Sequence, residues 1–258
     1  MAERWLDHNN THNRDIRQSR VEQYTREMLA GRWHFNGESI QFDQDGILLN
    51  GQHRLWAIVE SGCPQRFVVV RGLDRAAQVT MDQGNRRTPA EQLHLVGIHV
   101  DNSMAATIRV YLRWQQGKLF GDQVRLKTST AEVVEWAQAN PDAIELIRGF
   151  ISSGLRRVPA TPSIVLATAL TFHSIDYDEA ADFYSRLATG AELTSRSPIL
   201  ALRSRLLKAK DTNTRITERD TIAYFIVAWN AERTGKPLSK LQRPPGASWT
   251  LANFPVPK

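Results

Sequence analysis

Two short polar segments of the chain combine glycine, arginine and other hydrogen-bonding side chains just before a helix is expected to begin. The first is Asn50–Arg54, with the sequence NGQHR, which lies between an apolar strand and an apolar helix. The second is Asp82–Arg87, with the sequence DQGNRR. Helix N-termini and glycine-containing loops present backbone amides to anions, and arginine adds a planar donor suited to phosphate. Together the segments predict an anion pocket, although either one alone is also typical of an ordinary surface loop.

The elements that must position these segments form a small mixed unit in the first hundred residues. The third strand, which contains FVVV, is expected to be buried because it is a continuous apolar run. Residues 1–14 are expected to be a flexible polar cap. A strong helix start follows the second segment, with Thr88 as N-cap, Pro89 at the first position and Glu91 three residues after the cap. The predicted elements are a helix at 15–30, strands at 39–42, 47–49 and 66–71, a helix that ends at Gly62, and a short helix at 75–81.

From Ser103 onward the spacing of apolar residues is helical, and no strand is predicted. The tail after Lys236 contains five prolines and is expected to be extended. The sequence therefore predicts an α+β protein, with a small mixed-sheet domain over residues 1–98 and an all-helical domain over residues 99–258. The helices of the second domain are predicted near residues 104–116, 129–139, 142–150, 162–174, 177–189, 197–209 and from 217 onward.

The composition indicates a globular protein whose second half is basic. The formal net charge is +6, and 41% of the residues are hydrophobic. Residues 1–100 contain 12 Arg, no Lys and 12 acidic residues, whereas residues 101–258 contain 21 basic and 15 acidic residues. This excess favours a polyanionic partner, with a solvated basic surface as the equally weighted alternative. The single cysteine, Cys63, excludes an internal disulfide, and no signal peptide or membrane-spanning run is predicted, so we expect a cytoplasmic protein.

One predicted helix, residues 197–209, carries a cluster of positive charge at its end. Its apolar side is formed by leucines, which leaves the cations on the other side. They are candidate contacts to the phosphate backbone of DNA, and a solvated helix face is the alternative of equal weight. The candidate nucleic-acid-binding residues are Arg203, Arg205, Lys208 and Lys210.

Residues 13–93 resemble the ParB/sulfiredoxin superfamily, which includes ParB-like nuclease-type domains of phage and bacterial proteins. The segment LLNGQHRLWAIVESG is similar to the family box of an apolar strand followed by Gly-x-x-Arg at a helix start. The segment DQGNRRTPAEQL is similar to the second ParB box, ENxxR followed by a Pro-x-Glu helix start. The resemblance covers about a third of the chain and implies a ParB/sulfiredoxin-like fold for the mixed-sheet domain.

What the resemblance implies is a site for a nucleoside triphosphate, ATP or CTP, together with Mg²⁺. Asn85 would help to hold Mg²⁺ and phosphate. The candidate general bases are Asp82, His53 and Glu91, although Glu91 also fits a purely capping role. The residues that match the nucleotide-binding positions of the family are Gly51, Gln52, His53, Arg54, Asn85, Arg86 and Arg87.

The chain departs from the family at two positions that matter for its chemistry. Gln52 stands where sulfiredoxin has its cysteine, so the reduction of sulfinic acids is not implied. Asn50 stands where many relatives have an aspartate, so a carboxylate that could bind metal or act as a base is missing there. Asp82 is the nearest substitute in the sequence.

Three functions stay open at this level. The first is a nucleotide-binding protein that acts on or with DNA, with the nucleotide used as a switch or cleaved. The second is a kinase of the same superfamily, which would transfer phosphate to a small molecule or a nucleic acid and would need one of the candidate bases. The third is a non-enzymatic phage adaptor. A homodimer is left open for each of them.

Overall fold

The computed structural model describes residues 1–11, 13, 15–81, 88–120, 127–244 and 248–258, which form two compact units. The N-terminal unit comprises Met1–Arg86 with Arg125–Ser129, and the helical unit comprises Arg87–Val124 with Thr130–Lys258. The described residues contain eleven α-helices and one small mixed sheet, so the α+β class predicted from the sequence is confirmed.

The N-terminal unit contains three α-helices and all three described strands. A 3₁₀ helix follows the last strand, and Asp74 caps it by accepting a hydrogen bond from the amide of Ala76. The elements are α1 (Ala2–Asn9), α2 (Gln18–Leu29), β1 (Ser39–Asp43), β2 (Leu48–Asn50), α3 (Gln52–Ser61), β3 (Val68–Leu73) and the 3₁₀ helix Arg75–Thr80.

Strand β1 lies at the centre of the sheet, in the order β2-β1-β3. It pairs antiparallel with β2, with Gln41 opposite Asn50, and parallel with β3, with Ser39 opposite Val68. The tight turn between β1 and β2 is held by the carboxylate of Asp43, which accepts hydrogen bonds from two backbone amides of the turn. This hairpin places the end of β2 beside the centre of β1, and α3 begins two residues later.

Helix α3 joins two small apolar clusters of the N-terminal unit. Leu55 packs with residues of the sheet and with Leu6 of α1, whereas Ala57 packs with Val21 and Met28 of α2. Leu55 and Ala57 are almost completely buried. Helix α3 is therefore held in place from both sides.

Two expectations for this unit are wrong. The third strand is not buried, because within the described residues β3 is an edge strand that pairs with β1 alone, and Val68 and Val69 are 40% and 42% exposed. The amino-terminal segment is not a flexible cap over its whole length, because residues 2–9 form α1. Its Trp5 contacts the ring of Phe42 edge-on at a centroid distance of 5.1 Å.

The helical unit is built around α8, a helix that is apolar on all sides and buried on almost all of them. Phe172 of this helix stacks on Trp229 of the last helix, with ring centroids 4.7 Å apart. The N-cap predicted at Thr88 is confirmed, and Asp176 and Thr217 cap the helices predicted at 177–189 and from 217, since each side chain accepts a hydrogen bond from the helix it begins. The helices are α4 (Pro89–Leu95), α5 (Asn102–Gln115), α6 (Thr130–Ala139), α7 (Pro141–Ser152), α8 (Pro162–His173), α9 (Tyr177–Thr189), α10 (Pro198–Asp211) and α11 (Glu218–Arg233).

Candidate functional site

The first polar segment forms a tight corner between β2 and α3, and Gly51 makes that corner feasible. Gly51 has φ 111° and ψ 0°, which lies in the left-handed region that side chains rarely adopt. A Cβ at this position would lie 2.6 Å from Cδ1 of Ile40 and 3.4 Å from its Cα. Ile40 is fully buried at the centre of the sheet. Glycine is therefore favoured by the backbone conformation, and any larger residue would also force the buried Cδ1 of Ile40 to move.

Arg54 lies in the first turn of α3 and connects the loop to β1. Its Nη1 forms an ion pair with Oε2 of Glu38 at 2.7 Å, and its Nη2 donates to the carbonyl oxygen of Ser39 at 2.7 Å. A longer hydrogen bond of 3.4 Å reaches the side chain of Asn50. The Arg54 side chain is 11% exposed, whereas that of Glu38 is 57% exposed. Glu38 thus supplies Arg54 with an anionic oxygen of the kind that a phosphate would supply.

Gln52 and His53 are also buried, and both contact residues that precede the sheet. The Nε2 atom of His53 accepts a hydrogen bond from the backbone amide of Arg17 at 3.1 Å, so this nitrogen carries no proton. The Oε1 atom of Gln52 accepts a hydrogen bond of 3.4 Å from Asn10. His53 therefore orients the chain before α2, which is a positioning contact that the sequence did not predict.

Three asparagines of the amino-terminal segment, Asn9, Asn10 and Asn13, form what we call the asparagine strap. Asn9 donates to a carbonyl of the β1–β2 turn at 2.7 Å, and Asn13 donates to the carbonyl of Leu48. Asn13 also donates to Asn10 at 2.8 Å, and Asn10 donates to Gln52. The strap joins the hairpin to the start of α3. The clustering of asparagines in the sequence was its only signal, and that signal did not indicate what the amides would contact.

Some features of the loop fit an anionic ligand and one opposes it. The helix start has no side-chain cap, and Nε of Arg54 is buried without an acceptor among the described residues. Both features provide hydrogen-bond donors for an anion, and they lie beside the positive end of a helix dipole. On the other hand, Gln52, His53 and Arg54 are only 4%, 7% and 9% exposed. A ligand can reach them only if Glu38 or the strap moves.

The second polar segment, with Asp82, Asn85, Arg86 and Arg87, lies outside the described residues, so its predicted roles stay predictions. The helix start that follows it is described. Thr88 and Glu91 form a reciprocal capping box, in which the hydroxyl accepts from the Glu91 amide at 3.2 Å and the carboxylate accepts from the Thr88 amide. The capping role of Glu91, which the sequence left open, is the one that the structure shows.

The described residues do not by themselves form a site for Mg²⁺, an ion that prefers carboxylate and phosphate oxygens. Around the first loop, the carboxylate of Glu38 is bound to Arg54, and Asn50 offers only a neutral amide oxygen. Across the described ranges, no group of three or more His, Cys, Asp or Glu side chains is arranged to hold a metal ion. A magnesium site would therefore depend on Asp82 and Asn85.

The basic residues predicted on α10 have different surroundings. Arg203 forms hydrogen bonds within the helical unit. Its Nη1 donates to the carbonyl of Leu187 at 2.7 Å and to that of Ala188 at 3.1 Å. It thus satisfies carbonyls at the end of α9 and has a structural contact where the sequence predicted a contact to nucleic acid. The exposed basic residues of α10 are Arg205, Lys208 and Lys210.

A comparison of the chain with protein-family models gives no match, and comparisons with curated proteins and with solved structures give none either. The resemblance to the ParB/sulfiredoxin superfamily therefore depends on the two sequence boxes alone. Among the helices that the structure describes, none is long and apolar enough to cross a membrane.

Proposed function

We propose that this is a ParB-like nucleotide-binding protein that acts with DNA. A nucleoside triphosphate, ATP or CTP, would be held with Mg²⁺ by the loop Gly51–Arg54 and by the segment Asp82–Arg87. The observation that carries the proposal is the corner at Gly51, where a left-handed glycine opens an uncapped helix beside a buried arginine. Backbone amides at such a helix start bind phosphate, and the arginine adds charge.

The ion pair between Arg54 and Glu38 suggests how the ligand would be admitted. Glu38 is more than half exposed, so its movement away from Arg54 costs little packing. Because the Arg54 side chain is buried, it needs an anionic partner at all times, and a phosphate group with two charge-assisted hydrogen bonds to the guanidinium would take the place of Glu38. In this proposal Glu38 occupies Arg54 in the absence of nucleotide and competes with the phosphate for it.

Binding without phosphoryl transfer is favoured over the kinase alternative. Transfer requires a base that is within reach of the acceptor hydroxyl. Two of the three candidate bases are already engaged in hydrogen bonds. Nε2 of His53 accepts a hydrogen bond from a backbone amide, and the carboxylate of Glu91 accepts one from the amide of Thr88. Asp82 would have to supply the base alone. If calorimetric titration detects no binding of ATP or CTP, the non-enzymatic adaptor becomes the favoured function.

The DNA-associated part of the proposal has separate support. The second half of the sequence contains 21 basic and 15 acidic residues. Exposed cations of α10 lie in this half, and none of Arg205, Lys208 and Lys210 pairs with a carboxylate in the described part of the chain. Unpaired surface cations are the usual contacts to a phosphate backbone.

Calorimetric titration of ATP and of CTP, each with Mg²⁺, tests the nucleotide site with two variants of opposite effect. Arg54→Lys keeps one positive charge but loses the planar group, and we expect it to weaken binding at least about tenfold. Glu38→Gln removes the competing carboxylate, and we expect it to strengthen binding by up to about fivefold, which corresponds to roughly 1 kcal/mol.

The matched control is Glu3→Gln, which removes one negative charge from an exposed residue of the same unit. It should leave the affinity unchanged within about twofold, because Glu3 is exposed and forms no ion pair with the loop among the described residues. The proposal is overturned if neither nucleotide binds to the wild type or to Glu38→Gln. It is also overturned if Arg54→Lys binds as tightly as the wild type while remaining folded.

A further inference from the structure

A cleft of about 380 Å³ opens in the helical unit, between the end of α10, the loop at 212–217, the first half of α11 and residues 242–243. Its lining is cationic, because it includes the three arginines Arg205, Arg215 and Arg243. Polar Thr214 and Gln242 lie between them. None of these residues belongs to the predicted nucleotide site, and only Arg205 was singled out from the sequence.

Two of the arginines are held in place by buried partners on α11. Arg205 donates to the hydroxyl of Tyr224 at 3.2 Å, and its guanidinium lies 5.1 Å from the centroid of that ring. Arg243 forms an ion pair with Asp220, a carboxylate that is completely buried. Tyr224 is itself only 1% exposed. The buried anchors fix the guanidinium groups at low entropic cost, which is characteristic of a built binding site and not of a solvated surface.

The positive charge of the cleft is neutralised only in part, because its three arginines have one carboxylate partner among the described residues. Asp220 pairs with Arg243, whereas neither Arg205 nor Arg215 pairs with a carboxylate within the residues that the structure describes. The pKa of Arg243 is raised above its ordinary value, chiefly by its hydrogen bond to Asp220, so this side chain stays charged. A ligand of this cleft must therefore be an anion with more than one negative group.

The cations also continue beyond the cleft along α10. A smaller cavity of about 90 Å³ adjoins the first, shares Arg205 and Thr214 with it and adds Lys208 to its lining. Lys210 is also exposed, but two residues after Lys208 it lies about 200° further around the helix, on another side of α10. A compact phosphorylated metabolite would contact the cleft alone, whereas a polymer with regularly spaced phosphates can contact the whole row.

We propose that this row of cations binds the phosphodiester backbone of double-stranded DNA. The proposal rests on the DNA-associated part of the proposed function and does not depend on the nucleotide loop. The cleft offers no exposed aromatic face for a base, since Tyr224 is buried beneath Arg205. Single-strand binders use such faces to stack bases, so contact with the backbone of a duplex fits better. The contacting side chains are Arg205, Lys208, Arg215 and Arg243.

Fluorescence anisotropy of a labelled duplex of about 20 base pairs, titrated at several salt concentrations, tests the proposal. Four phosphate contacts give a slope of log K against log salt of about −3.6, or a loss of about 150-fold in affinity between 50 and 200 mM salt. The variant Lys208→Gln with Arg215→Gln should reduce the slope to about −1.8 and the affinity at 0.1 M salt by about 60-fold. Neither side chain forms an ion pair among the described residues, so folding should be unaffected.

The matched control is Arg196→Gln with Lys236→Gln, which removes one arginine and one lysine from exposed positions of the same unit outside the cleft. It should change the slope far less. If the two double variants have equal slopes of log K against log salt, the proposal that the cleft contacts DNA is wrong, although the protein would still bind DNA elsewhere. Absence of duplex binding in the wild type would overturn both, and the nucleotide titration of the same sample would still report on the loop.

Competition with inorganic tripolyphosphate shows whether the cleft binds the phosphates of a polymer or those of a small phosphorylated ligand. If the cleft is built for a polymer, tripolyphosphate should displace the duplex only at concentrations far above the dissociation constant of the duplex. If tripolyphosphate binds as tightly as the duplex, and Lys208→Gln with Arg215→Gln abolishes that binding, the site serves a small phosphorylated ligand and the assignment to DNA is wrong.

Discussion

Substitution of Gly51 by alanine is the sharpest perturbation of the corner before α3. The backbone at φ 111° is strained for any side chain, at a cost of about 1–3 kcal/mol. The added Cβ would also lie 2.6 Å from Cδ1 of Ile40, and overpacking of a buried site costs about 1–3 kcal/mol more. We therefore expect Gly51→Ala to destabilise the N-terminal unit by about 2–6 kcal/mol, a large part of the stability of a small domain.

A second substitution separates the two contributions. Ile40→Val removes the Cδ1 atom that the new Cβ would meet, and alone it should cost about 1 kcal/mol. In the double variant the clash is relieved but the backbone strain stays, so the two changes should cost about 1–2 kcal/mol less than their sum.

Native-state hydrogen exchange of the α3 amides measures the stability of this unit separately from that of the helical unit. The reasoning about Gly51 is refuted if Gly51→Ala costs less than about 1 kcal/mol. It is also refuted if the effects of Gly51→Ala and Ile40→Val simply add.

Three further predictions concern the helical unit, and urea unfolding checks each of them. Glu132→Gln should cost about 3 kcal/mol, because Lys118 is buried and would lose its carboxylate at 3.1 Å, and Lys118→Met in the same chain should recover most of the loss. Tyr184→Phe should cost about 1 kcal/mol, because its buried hydroxyl donates to Thr168 at 2.7 Å. Burial lowers the pKa of His173, so the unfolded state binds the proton more readily. The stability that this imidazole contributes is therefore present above pH about 6.5 and lost as the pH falls through the folded-state pKa, and His173→Gln should flatten that decline.

The helical elements could be predicted because their signals are local. The caps at Asp176 and Thr217 lie within three residues of the amides they satisfy, and both helices begin where the sequence indicates. The burial of β3 could not be predicted, because it depends on the order of strands in the sheet. Its run of valines is typical of a buried strand, but in the sheet that the described residues form, β3 lies at an edge beside β1.

The candidate site was predicted only in part, for the same reason. The glycine corner and the arginine at the start of α3 follow from five consecutive residues. The partners of that arginine do not, since Glu38 and Ser39 reach Arg54 only because β1 lies beside the loop. The contact between Asn10 and Gln52 likewise joins residues 42 positions apart. Sequence spacing alone contains no information about such contacts.

The cleft between α10 and α11 could not be predicted from the charge pattern of a single helix. Arg205 and Lys208 were recognised from the charge pattern of α10, whereas Arg215 and Arg243 belong to a loop and to the segment after α11. Only the packing of α10 against α11 brings them to one cleft. Arg203, which the same charge pattern indicated, instead donates to carbonyls at the end of α9.

The central claim is that the corner from Gly51 to Arg54 binds the phosphates of a nucleotide, and amide chemical shifts test it most directly. Titration of isotope-labelled protein with ATP or CTP and Mg²⁺ should shift the backbone amides of residues 51–53 and the Nε–H of Arg54 most strongly, because these donors would contact the phosphates. Saturating shifts confined to other parts of the chain, or no shifts at any nucleotide concentration up to about 1 mM, the weak end of specific binding, would contradict the claim.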